Sequence, residues 1–135
     1  MIPVRQTRRP EGLSKQERLS GKADIGRLLK DGRFGHEGVL KFCWLLRTDA
    51  DSGNRIMVSV SKRFFKRAVK RNLLKRRLRE AYRRSKGMLD VPGFCDLMFV
   101  YNSKEIADYQ EIKQAVENIL NYISEKAAQK EVVAQ

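Results

Sequence analysis

Between Lys62 and Arg84 the chain places twelve basic side chains against a single acid, Glu80. They are Lys62, Arg63, Lys66, Arg67, Lys70, Arg71, Lys75, Arg76, Arg77, Arg79, Arg83 and Arg84. The full 135 residues carry 29 Lys and Arg, 16 Asp and Glu and a net charge of +13, so nearly all of the excess sits in this one segment. The remainder is an ordinary, almost neutral domain. Charge this concentrated needs a polyanion as partner. Arginine outnumbers lysine within it, and guanidinium groups fork onto phosphate oxygens and stack on bases. The chemistry expected is capture of an RNA backbone, with affinity that falls steeply as salt rises.

Protein-based catalysis has no candidate of comparable strength, and no catalytic residue or metal ligand is assigned. No Cys or His pair has zinc spacing, and no glycine loop is built to cradle a nucleotide. The one histidine, His36, lies in a loop-like setting and reads as solvated. Asp24, Asp96 and Asp108 fall in different segments, with nothing to bring them onto one metal ion. Cys43 and Cys95 sit in apolar, strand-like stretches and read as free core thiols of a reducing compartment. No apolar run is long enough to cross a bilayer, and the start of the chain lacks a secretory pattern, so a cytoplasmic protein with no membrane partner is expected.

The elements that must carry the basic segment follow from periodicity. Residues 1–13, with Pro3, Pro10 and Gly12, read as a loose extension. Ser20 is a candidate cap for a short helix to Lys30, where Ile25, Leu28 and Leu29 give one apolar side and Gly32 a stop. Val39 to Arg47 and Arg55 to Ser61 read as strands, and the polar cluster Thr48 to Asn54 suggests a hairpin between them. In the second strand Ile56, Val58 and Val60 share one face, and Met57, Ser59 and Ser61 the other.

The basic segment itself has helical spacing. Leu74, Leu78, Ala81 and Tyr82 form one stripe, while Asn72, Arg76, Arg79 and Arg83 project from the opposite side with Lys75 beside them. Asp96 to Tyr101 is a further strand. Asp108 and Glu111 have capping spacing ahead of a last helix with Ile112, Val116, Ile119, Leu120 and Ile123 inward, and the tail from about 126 reads as loose. With no repeat and no internal linker, residues 1–135 form a single domain with a core of about 18–123. Its class is α+β, one sheet covered by helices on one side.

Ser59-Val60-Ser61-Lys62-Arg63, followed by Arg71-Asn72-x-x-Lys75-Arg76-x-x-Arg79-Glu80-Ala81-Tyr82, resembles the signature of the bacterial ribonuclease P protein component. The likeness covers residues 18–123, with the elements in the family's order. It implies a two-layer α/β sandwich, a mixed sheet of about four strands and a left-handed βαβ crossover into the arginine-rich helix, against the usual right-handed rule. It also implies that an RNA subunit is the catalyst, removing the 5′ leader of precursor tRNA with Mg2+ ions held mainly by that RNA. On this resemblance Lys62, Arg63, Arg71, Asn72, Lys75, Arg76 and Arg79 lie against the catalytic RNA, joined by Lys66, Arg67 and Arg83 from the charge pattern. The single-stranded leader lies in a cleft between the first helix and the open sheet face, which here brings in Ile25, Leu29, Phe34 and Phe42.

Two departures from the family pattern stand out. Ile25 and Leu29 occupy positions where aromatic residues are common, leaving Phe34, Phe42 or Trp44 as the stacking candidates. After Lys62-Arg63, where the family commonly has a Gly-Asn pair before the helix, this chain has Phe64-Phe65-Lys66-Arg67 in a stretch one residue longer, with two added cations at the start of the helix. The alternative is a ribosomal or other structural RNA-binding protein without a catalytic partner. DNA is not expected, because no recognition-helix pair or dimer seam is apparent.

Overall fold

The computed structural model describes residues 17–47 and 53–134, with side chains to residue 129. The elements are α1 (Lys22–Asp31), β1 (Arg33–Glu37), β2 (Leu40–Arg47), β3 (Arg55–Val60), α2 (Ala68–Ser85), a 3-10 turn (Lys86–Met88), β4 (Phe94–Tyr101) and α3 (Tyr109–Ala134). The expected α+β class and mixed four-stranded sheet are observed. Strand order is β1-β2-β4-β3, with β2 antiparallel to β1 and β4, and β3 parallel to β4.

This order corrects the hairpin expected between β2 and β3. Strand β4 (FCDLMFVY) is buried along almost its whole length on both faces, so it takes the centre and separates them. The chain therefore reaches β4 from β3 through α2, a βαβ unit. The true hairpin joins β2 to β1, a short polar strand that periodicity does not reveal. Its two-residue turn places Gly38 at φ +56°, where a β-carbon is disfavoured.

The sheet has two unequal faces. On one, Phe42, Trp44, Ile56, Val60, Leu97 and Phe99 pack against Leu74, Leu78 and Tyr82 of α2 and Ile112, Val116 and Leu120 of α3, forming the main core. On the other, Cys43 and Met98 meet Leu19 and Leu28, with Ile25, Leu45, Met57 and Val100 partly buried around them. The expectation of helices on one face thus holds for α2 and α3, and is corrected for α1. At 10 residues α1 is too short to persist alone. It is fastened by fully buried Leu28, worth about 2 kcal/mol, and by an ion pair from β3 described below.

Helix ends follow the sequence in part. Gly21, not Ser20, stands at the α1 cap position, and the Gly32 amide closes the helix on the Leu28 carbonyl at 2.8 Å. Asp108 caps α3 through Oδ1, which accepts from the Glu111 amide at 2.9 Å. The tail expected to be loose from about 126 is helical to Ala134, and Ala127 is fully buried. The extension at residues 1–13 lies outside the described residues.

Candidate nucleic-acid interface

Helix α2 stands over the sheet on Leu74, Leu78, Ala81 and Tyr82, all buried. The opposite side presents Asn72, Arg76 and Arg79 to solvent, as the 100° progression requires, with Lys75 half-buried at the margin. Successive turns are about 5.4 Å apart, a spacing that lets neighbouring arginines follow a nucleic-acid backbone. Ahead of the helix, Lys62, Arg63, Lys66 and Arg67 are exposed on the turn leaving β3. Ser61 shapes that turn by accepting the Arg63 amide at 3.0 Å, and the Arg63 guanidinium lies over the Phe64 ring at 5.6 Å. Among the described residues, Lys62, Arg63, Lys66, Arg67, Arg76 and Arg79 make no ion pair. Among the described residues their charge is not spent on an acid.

Two arginines of the segment are turned inward to structural work. Arg71 Nη1 donates to the carbonyls of Phe65 at 2.7 Å and Lys66 at 2.8 Å, pinning the turn onto the helix it precedes. Arg77 Nη1 donates to the Ala107 carbonyl at 2.6 Å, fastening the loop after β4.

Arg83 is a correction. The angular progression groups it with Arg79, yet it is buried. Its guanidinium lies along the helix on the Glu80 carboxylate, Nε 2.9 Å from Oε1 and Nη2 on Oε2, instead of reaching outward. Arg84 adds a second bond to Glu80 at 2.7 Å. These bonds hold Glu80 down at about 2, against an ordinary 4.5. The i, i+3 and i, i+4 spacing of Glu80 with Arg83 and Arg84 was the available signal.

The opposite sheet face carries the second feature. Helix α1 covers one end, and the other end lies open, with His36, Lys41, Val100 and Ser59 in register across the four strands. Ser61 and Lys62 continue from its β3 side. Phe34 pairs with Cys43, belongs to this face and is 66% exposed. Leu29 is exposed at its rim, while Ile25, on the same helix, is half-buried against the sheet. Phe42 is the second correction: alternation turns it to the main core, where its ring meets Tyr122 edge-on at 5.9 Å. Trp44 is buried on the same side. Lys41, exposed on the open face, was missed by sequence reasoning; its alternation with Cys43 marks it once the inward side of β2 is known.

The buried acid Asp96 is likewise structural. Asp96, fully buried, accepts from Arg47 Nε at 2.8 Å and from Arg55 Nε and Nη2 at 2.9 Å each, while Arg55 Nη1 reaches Asp24 of α1 at 2.9 Å. No three His, Cys, Asp or Glu side chains converge as metal ligands among the described residues.

Fold and surface together define a small basic α+β protein with an exposed cationic strip on one helix and an open face on its sheet. The ribonuclease P family model matches residues 13–124. The ribonuclease P protein component of Porphyromonas gingivalis is 34% identical over 115 residues, 81% of this chain and 84% of its own length. That of Thermotoga maritima is 30% identical over 118 residues, 84% of this chain and 97% of the relative. Among solved structures, the Thermotoga maritima protein superposes with a TM-score of 0.65 at 27% identity, covering 79% of this chain and 97% of that one. The Staphylococcus aureus protein gives 0.67 at 24% identity, covering 78% and 94%, and shows the shared fold. The chain belongs to the ribonuclease P protein component family, the protein subunits of a ribonucleoprotein that matures tRNA 5′ ends in complex with ribonuclease P RNA.

Proposed function

We propose that the outer strip of α2 and the turn before it dock this subunit onto the catalytic RNA, while the open sheet face receives the 5′ leader of precursor tRNA. The observation that carries the reading is the exposure of Asn72, Arg76 and Arg79 opposite a fully buried apolar stripe, without ion pairs among the described residues. About six phosphate contacts from such side chains make affinity fall by roughly a thousandfold or more between low and moderate salt. On the sheet, Phe34 supplies a flat ring and Lys41 and Lys62 supply charge, a combination that holds a single strand with little sequence preference.

The work of this chain is then electrostatic. It lowers the cost of bringing two polyanions together and donates no proton of its own. Mg2+ supplies charge neutralisation and activation of water when bound, and its ligands belong to the RNA in this reading. The absence of any helix long and apolar enough to cross a membrane among the described residues accords with action in the cytoplasm, beside the RNA partners.

The test is reconstitution with the cognate catalytic RNA at limiting magnesium. Restored leader cleavage supports the reading. No rescue, with firm binding to ribosomal RNA instead, would replace it with a structural role.

A further inference from the structure

A crevice runs between the start of α2 and the loop that links β4 to α3. Its two lobes meet at Phe64, Lys104, Glu105 and Ile106. One lobe, about 540 Å3, is lined by Lys66, Arg67, Lys70 and Lys104. The other, about 590 Å3, adds Val39, Tyr101, Ser103, Ala107 and Glu111 to the shared four. Both lobes are shallow and open to solvent.

We propose that this crevice is a second RNA site, in which the Lys66, Arg67, Lys70 and Lys104 lobe holds a backbone phosphate and the Phe64 and Ile106 lobe holds the attached, unstacked base. The inference rests on the RNA-binding reading above and extends it from Lys66 and Arg67 of the docking turn to Lys70, Lys104 and the loop after β4.

Three observations support it. First, four cations face the single carboxylate of Glu105 in the first lobe, and none of the four makes an ion pair among the described residues. The α2 start adds to this field, since Arg67 at the cap position makes no side-chain cap bond and the first turn holds no acid.

Second, the walls are preformed. On the helix side, Arg71 clamps the Phe65 and Lys66 carbonyls, and the Phe65 ring packs on Tyr101 at 5.9 Å. On the loop side, the Tyr101 hydroxyl donates to the Glu105 carbonyl at 2.6 Å and accepts the Ala107 amide at 2.8 Å. Arg77 holds the Ala107 carbonyl, and the Asn102 amide is bonded to the Val39 carbonyl at 2.7 Å. A site whose walls are fixed before binding loses little entropy when filled.

Third, the second lobe offers apolar surface at Ile106, 41% exposed, and at partly exposed Phe64, beside the exposed Lys104, Glu105 and Glu111. The Tyr101 hydroxyl is already spent on the loop, so a base gains beside Phe64 and Ile106 by stacking and burial. That suits an unpaired nucleotide without strong sequence choice.

The test is methyl and amide NMR of the full chain titrated with a short oligouridylate. The Ile106 and Ala107 methyl signals are expected to shift in the native protein and in an Arg76→Ala, Arg79→Ala variant. In a Lys70→Ala, Lys104→Ala variant the affinity read at Ile106 is expected to fall about tenfold or more. The slope of log affinity against log salt should become shallower by about 1.4, for two lost phosphate contacts on a single strand. Leu74 and Leu78 methyl signals report that the fold is kept. Silent Ile106 and Ala107 signals beside moving Asn72 and Arg76 amides would overturn the crevice and leave the strip standing. Silence at both would overturn both.

Discussion

Arg55 and Asp96 sit opposite each other in the β3 and β4 register, joined by two hydrogen bonds of 2.9 Å that leave the carboxylate with no exposed surface. Arg47 closes the same carboxylate from β2, and Arg55 extends to Asp24 on α1. A buried acid shared by two guanidinium groups is costly to break from one side, because the survivors keep their charge and lose their partner. Asp96→Ala is expected to destabilise the protein by about 3 to 5 kcal/mol. Asp24, 35% exposed, should cost less than about 1 kcal/mol when changed to Ala. Urea unfolding of both variants checks the contrast, and equal losses would show that the buried acid is not the keystone.

The strip separates binding from stability. Arg76→Ala and Arg79→Ala should each weaken association with the catalytic RNA by about 1 to 3 kcal/mol and leave the unfolding midpoint in place. Arg83→Ala is expected to do the reverse, lowering the midpoint with little effect on the salt slope of binding. Filter-binding titrations at several salt concentrations, with parallel unfolding curves, decide between them.

Glu80 provides a pH signature. Its bonds to Arg83 and Arg84 hold it at about 2, so the folded state takes up that proton less readily than the unfolded state, where the value is near 4.5. The stabilisation is complete above the unfolded value and drains away as pH falls toward 2. A Glu80→Gln variant should therefore be less stable than the native chain near pH 7, by about 1 kcal/mol given partial exposure, and nearly equal to it at the acid end. A gap that stays constant across this window would refute the assignment.

Two phenylalanines on neighbouring strands should behave oppositely. Phe42→Ala empties a core position and is expected to cost about 3 to 5 kcal/mol of stability. Phe34→Ala should leave stability almost unchanged and weaken binding of precursor tRNA by about 1 to 3 kcal/mol, without affecting tRNA that lacks a leader. Affinity measured with and without the leader tests it directly.

The thiols should be inert in the native protein. Burial pushes Cys43 up to about 11 and Cys95 up to about 12, and Cys43 Sγ donates to the Leu28 carbonyl at 3.3 Å. Neutral-pH labelling with a disulfide reagent is expected to await unfolding and then consume both. Rapid labelling of the folded chain would contradict the packing described for β2 and β4.

Much of this architecture is readable from local pattern. The stripes of Leu74, Leu78 and Ala81 and of Ile112, Val116 and Ile119 locate two helices, because a 3.6-residue period leaves few alternatives. The exposure of Asn72, Arg76 and Arg79 follows from the same period. What local pattern misses is set at a distance. The hairpin expected for β2 and β3 fails because β4, about 40 residues further on, is apolar on both sides and competes for the central position. Phe42 is misplaced for the same reason, since alternation fixes which residues share a side without saying which side faces the long helices. Arg83 fails at short range, where a carboxylate one turn earlier outweighs the angular position.

The central placement of β4 also governs how a nascent chain matures. β1 and β2 can close their hairpin as soon as they are synthesised, but β3 has no neighbour in the sheet until Phe94 to Tyr101 emerge. The arginine-rich helix between them is thus translated before the surface that seats it exists. For that interval Leu74, Leu78 and Tyr82 lack Leu97 and Phe99 to pack on, so the helix is fully seated only once β3 and β4 have paired.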